Sequence, residues 1–113
     1  MIQIYHNPRC SKSRQGVTFL KEKNLPYEEV RYLDQGLTTD ELKGLLKKLN
    51  CSAMELIRTN EAVWKSEYKD KEMGEEQLIK AMASNPRLVE RPVVVNGEKA
   101  VVARPTERIN EII

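Results

Sequence analysis

The chain has 113 residues, enough for one domain that buries a core without disulfide staples. Its 19 Lys and Arg against 17 Asp and Glu leave a net charge of +2, which excludes general attraction to nucleic acid or to a membrane surface. No apolar run reaches the length of a membrane span, and Met1-Ile2-Gln3-Ile4-Tyr5 lacks the basic and apolar regions of a signal peptide. A cytoplasmic location is therefore expected, with the two cysteines, Cys10 and Cys51, as free thiols.

Ile2 to Tyr5 alternates like a short strand, and His6-Asn7-Pro8 signals a turn. A helix is expected from Ser11 to Lys23, with Val17 and Leu20 facing inward and Gly16 permitting close backbone approach. Asn24-Leu25-Pro26 ends it, and Tyr27 to Tyr32 reads as a second strand. If the two strands are neighbours in one sheet, the crossover makes them parallel.

Thr38 and Glu41 form a capping box ahead of Leu42, Leu45, Leu46 and Leu49, an amphipathic helix. Ser52 and Glu55 form a second box, opening a short helix that ends near Arg58. Trp64 and Tyr68, four apart, suggest a helical turn, and Glu75 to Ser84 reads as a helix with Leu78, Ile79 and Met82 inside. Arg91 to Val102 is a hairpin around Asn96-Gly97. Pro105 suits the first turn of a last helix whose inner face is Ile109, Ile112 and Ile113. The order βαβ, several helices, ββ, α fits one α/β domain over residues 1–113. It would be a thioredoxin-like, four-stranded mixed sheet with a helical insertion at about 37–90 between the βαβ and ββα halves.

Cys10 follows a strand and a turn and directly precedes a helix. A thiolate there faces unpaired N–H groups and the positive end of the helix dipole, with Arg9, Lys12 and Arg14 nearby in sequence. Such settings lower a cysteine pKa, and the thiolate is the nucleophile. His6 is expected in a supporting role, bonded to the thiolate or to the loop. Arg91 and Arg104 stand at the two ends of the hairpin and can be neighbours. They are either solvated surface arginines or a pair whose planar forks hold a tetrahedral oxyanion. Arg58 alone reads as an ordinary arginine at a helix end. Cys51 reads as a structural thiol, and two distant cysteines with one histidine offer no metal site.

His6-Asn7-Pro8-Arg9-Cys10-Ser11-Lys12-Ser13-Arg14, Leu56-Ile57-Arg58-Thr59-Asn60-Glu61, Asn85-Pro86, Glu90-Arg91-Pro92-Val93-Val94-Val95 and Ala103-Arg104-Pro105 together resemble the bacterial glutaredoxin-coupled arsenate reductases, nearly end to end. The resemblance implies a thioredoxin-like fold with Cys10 as the catalytic cysteine and His6 as its assistant. It also implies Arg58, Arg91 and Arg104 as oxyanion ligands and Pro92 as a cis-proline. Arsenate would be the substrate, glutathione the co-substrate and glutaredoxin the resolving partner, with no metal or other bound cofactor. Lys65 to Met73 departs from the segment usual in the family. Two rival functions are a general thiol–disulfide oxidoreductase and a regulator that binds RNA polymerase. Ser13 stands where either would usually carry a second cysteine, and Arg104-Pro105 favours the reductase branch.

Overall fold

The computed structural model describes all residues, 1–113, and resolves them into two compact units, Met1–Asp34 with Arg91–Ile113, and Gln35–Glu90. The first unit is built on a four-stranded sheet of order β2-β1-β3-β4. Its strands are β1 (Ile2–Tyr5), β2 (Tyr27–Val30), β3 (Val93–Asn96) and β4 (Lys99–Val102). β1 pairs in parallel with β2, Ile4 opposite Glu29, and antiparallel with β3, Ile4 opposite Val94. The mixed sheet and its helices are the expected thioredoxin-like arrangement.

Helix α1 (Ser11–Glu22) makes the β1–β2 crossover. It ends where Asn24 takes a left-handed φ of 56° and Leu25 N–H donates to the Leu20 carbonyl, a C-terminal turn that satisfies an otherwise open carbonyl. Residues 13, 16, 17 and 20 of α1 are its buried stripe. Val17 and Leu20 pack with Ile2, Ile4, Val94, Val101, Ile109 and Ile112 in the core of this unit. The stripe comes close to the sheet because Gly16 has no side chain. A Cβ there would lie 3.0 Å from Ile4 Cδ1 and 3.0 Å from Pro92 Cγ.

The hairpin turns on Gly97, whose φ is +63°, a conformation that glycine adopts without penalty. Asn96 closes β3 and donates from Nδ2 to the Ile112 carbonyl at 2.6 Å.

Several details differ from the sequence reading. Strand β2 stops at Val30, and Tyr32 instead begins a single helical turn, α2 (Tyr32–Gln35). Buried Tyr32 stacks obliquely on Tyr5 at 6.4 Å, so an aromatic contact overrides its strand propensity. The last segment is a 3₁₀ helix, Thr106–Glu111, preceded rather than opened by Pro105. Its tighter winding turns Ile109 and Ile112 inward and leaves Ile113 exposed.

The second unit is helical. It holds α3 (Thr39–Leu49), α4 (Ala53–Leu56), α5 (Ala62–Glu67), α6 (Glu75–Ser84) and a 3₁₀ turn, Pro86–Leu88. Thr38 Oγ1 accepts from the Glu41 N–H while the Glu41 carboxylate accepts from the Thr38 N–H, completing the expected box. Leu42, Leu45 and Leu46 are buried, and Lys43 pairs with Glu76 across α3 and α6. Helix α4 stops at Leu56, short of Arg58, because residues 57–58 pass into bridge geometry. Ile57 bridges Val89, with Arg58 N–H donating to Leu88 and Glu90 N–H to Leu56. Trp64 is buried and stacks on Tyr68 at 5.8 Å.

The glycine geometry separates two substitutions that helix propensity treats alike. Gly16→Ala should gain about 1 kcal/mol of propensity but lose about 1–3 kcal/mol to overpacking, a net loss that lowers the thermal midpoint by several degrees. Gly44→Ala, in α3 with nothing within 4 Å of the new Cβ, should raise the midpoint. Thermal denaturation followed by circular dichroism compares the two; a stabilised Gly16→Ala would show that the contact at Pro92 is slack.

Candidate functional site

The site is built where the end of β1 and the two ends of the hairpin meet. Cys10 is the N-cap of α1, with extended backbone at φ −96° and ψ 123°. Its carbonyl accepts from the Arg14 N–H and its own N–H donates to the Asn7 carbonyl, each at 3.0 Å. Asn7 also turns the loop through its side chain, Oδ1 accepting from the Arg9 N–H at 3.0 Å. Arg14 Nη1 donates to the Pro8 carbonyl at 2.9 Å. Asn7 is buried and Cys10 half-buried, so the loop is braced on both sides of the thiol.

Burial pushes the Cys10 pKa up. The Ser13 N–H, the Arg91 guanidinium and the Lys12 N–H outweigh it by hydrogen bonding to the sulfur, so the thiol ionises below its ordinary value. Arg104 adds a longer contact, Nη2 to Sγ at 3.7 Å, and its Nε donates to the Arg91 carbonyl at 2.7 Å. The hairpin thus brings Arg91 and Arg104 to one place, as the two-residue turn allowed. The peptide bonds Arg91–Pro92 and Arg104–Pro105 are both cis. The first was implied by the resemblance; the second gave no sequence signal.

His6 is 5% exposed and bonds through Nδ1 to Ser13 Oγ at 2.6 Å, not to Cys10. Burial lowers its pKa. Glu29 opposes that shift, while Arg31 and Arg14 add to it, leaving the ring neutral at pH 7. Ser13 was read in the sequence only as a missing cysteine, yet it is wholly buried and holds two polar partners. The signal for it was available: position 13 lies on the inward stripe 13, 16, 17, 20, where a polar residue must find partners.

Arg58 lies in the second unit, with Nε 3.6 Å from Glu61 and Nη1 buried without a hydrogen-bond partner. Cys51, also there, is half-buried; burial pushes its thiol pKa up, and the Glu55 and Glu75 carboxylates push it further. No group of three or more His, Cys, Asp or Glu side chains is arranged to hold a metal ion. No helix is long and apolar enough to cross a membrane.

The sequence pattern of the ArsC family matches residues 5–112. The chain belongs to the ArsC family. This ArsC protein is 46% identical over 114 residues to an uncharacterized Escherichia coli protein, YfgD, covering 99% of this chain and 96% of the relative. It is 39% identical over 114 residues to an arsenate reductase of Neisseria meningitidis, covering 99% and 97%. The solved structure of an arsenate reductase from Vibrio cholerae superposes with a TM-score of 0.95 at 34% identity, covering 99% of this chain and 97% of that one.

The two cysteines should part under alkylation. The thiolate is the reacting species, and the Cys10 pKa is lowered. Its rate with iodoacetamide should hold as pH falls and drop only below that lowered value, whereas Cys51 should react only as pH rises past its raised one. Peptide mass spectrometry after timed labelling at neutral pH should find Cys10 modified first, and Arg91→Ala should move its profile upward. Equal labelling of both cysteines would show that the arginine and amide contacts do not activate Cys10.

Proposed function

We propose that the protein is an arsenate reductase that uses glutathione and glutaredoxin, with Cys10 as nucleophile. The observation that carries this reading is an activated thiol at a helix N-terminus with two arginines at its sulfur. That arrangement suits attack on a tetrahedral oxyanion: a nucleophilic anion and an anionic substrate repel each other unless cations offset both charges. Arg91 and Arg104 are the ligands on the thiol side. Arg58 is the third, proposed from the family resemblance.

In this scheme Cys10 Sγ attacks arsenic, an oxygen leaves as water, and an S–As bond forms at the pentavalent state. The glutathione thiolate then attacks the Cys10 sulfur, the S–As bond breaks with its electron pair staying on arsenic, and arsenite leaves. The resulting mixed disulfide of Cys10 and glutathione is opened by a glutaredoxin thiol. Ser13 supports an external thiol at this step, since its hydroxyl is buried in hydrogen bonds and offers no sulfur. Cys51 lies outside the motif with a raised pKa, which argues against a resolving role.

Purified protein with arsenate, glutathione and glutaredoxin should produce arsenite. Cys10→Ser should abolish the reaction and Cys51→Ser should leave most of it. Arg91→Lys removes a planar fork worth about 1.5–3 kcal/mol to an anion, so kcat/KM should fall about 10- to 100-fold. Full activity in Cys10→Ser would overturn the mechanism. Robust RNA polymerase binding without arsenate reduction would favour a regulator, and reduction of disulfides in place of arsenate a general oxidoreductase.

A further inference from the structure

No Asp or Glu precedes Glu22 in the chain, so the charged sequence neighbours of Cys10 are all basic. Arg9 and Lys12 are exposed and form no ion pair, and the attack on arsenate leaves both unused. The main chain holds each near the sulfur: Arg9 is bonded to Cys10, and the Lys12 N–H bonds Cys10 Sγ. Such cations attract an anion within a Debye length, about 8 Å at physiological salt. Beside them an open groove of about 480 Å³ runs between the outer face of α1 and the closing 3₁₀ helix. Ser11 and Gln15 stand on one wall, Thr106 and Glu107 on the other. Thr106 Oγ1 donates across it to Gln15 Oε1 at 3.5 Å. The groove begins at the thiol, since Ser11 follows Cys10 and Thr106 comes shortly after Arg104, whose Nη2 reaches the sulfur. Glu107 is exposed and unpaired. The site therefore has cations beside the thiol and a carboxylate farther along the groove.

Glutathione has a matching order of charge. Its sulfur lies between a glycyl carboxylate and a γ-glutamyl arm that ends in an ammonium and a second carboxylate. We propose that this groove seats glutathione, with Arg9 and Lys12 taking the glycyl carboxylate and the γ-glutamyl arm lying over Ser11 and Gln15, its ammonium toward Glu107. The lengths agree. The arm spans roughly 10 Å from sulfur to ammonium when extended, and Gln15 stands about 7.5 Å along the helix from Cys10. The arm thus reaches the Thr106–Gln15 bridge while its sulfur stays at Cys10. A thiol without these charges gains nothing from either end of the groove. The inference rests on the reading of glutathione as co-substrate and adds where it binds and which residues select it.

The test is thiol–disulfide exchange at Cys10 with two small disulfides, glutathione disulfide and the uncharged hydroxyethyl disulfide. In each, the Cys10 thiolate attacks one sulfur, the S–S bond breaks, one half leaves as thiolate and the other stays on Cys10. Mass spectrometry of the adduct gives both rates, and their ratio cancels any change in the nucleophilicity of Cys10. At low salt, Arg9→Gln with Lys12→Gln should lower the glutathione-to-hydroxyethyl ratio about five- to tenfold. At 1 M salt, where the Debye length is about 3 Å, the loss should shrink to within about twofold. Gln15→Trp, which fills the groove, should lower the ratio while the hydroxyethyl rate holds, showing that the fold is intact. Glu107→Gln should lower it about two- to threefold. A general positive field predicts the reverse for Glu107→Gln, because loss of an acid would draw the anion in. An unchanged ratio in the Arg9 and Lys12 variant or in Gln15→Trp, or a raised ratio in Glu107→Gln, would overturn the seat. The exchange uses neither arsenate nor glutaredoxin. Failure of arsenate reduction with glutathione would therefore remove the proposed reaction, and failure of the ratios would remove the seat, as separate results.

Discussion

The antiparallel pairing of β1 with β3 is the constraint from which the candidate site follows. Tyr5 opposite Val93 sets the end of one strand beside the start of the other. The loop leaving β1 must then pass next to Arg91 and Pro92. The hairpin returns β4 to the same place, where the Ala103 N–H donates to the Pro92 carbonyl at 2.9 Å. Three stretches far apart in sequence meet there through main-chain hydrogen bonds, a frame to which the Arg104 side chain adds bonds to the Arg91 carbonyl and toward the Cys10 sulfur.

On that frame the electrostatics are simple. The sulfur is partly withdrawn from water, which by itself disfavours the thiolate. Backbone N–H groups at the start of α1 and a guanidinium from the hairpin reverse the balance. None of these donors can lose a proton at physiological pH, so the thiolate keeps them across the neutral range. A buried cationic histidine would be a less dependable neighbour, and here the histidine is neutral and spent on the loop.

Much of this was legible in the sequence because the signals were local. Thr38 with Glu41, the leucine stripe of α3 and the Asn96-Gly97 turn each dictate geometry within a few residues, and each was found where it was expected. Cys10 was legible for the same reason: a strand, a turn and a helix start need only a dozen residues to declare themselves. What failed was set by contacts across the fold. Tyr32 has strand propensity but turns to meet Tyr5, and the closing 3₁₀ helix winds to fit Ile109 and Ile112 into the core. Ser13 was visible on an inward stripe, but its partners, a histidine seven residues earlier and a loop amide, are fixed by how the turn folds back on the helix.

Gly16 has a mechanical consequence beyond packing. The helix that carries the thiol at its first turn rests on Ile4 and Pro92 through a residue with no side chain. Its standoff from the hairpin is therefore the smallest that backbone atoms permit. Pro92 is bonded to Arg91, so the spacing between the helix start and that guanidinium is gauged by a single hydrogen atom on Gly16. The residue acts as a shim of zero thickness: a methyl group there would tilt a rod nearly two turns from the sulfur and change the separation of thiol and guanidinium.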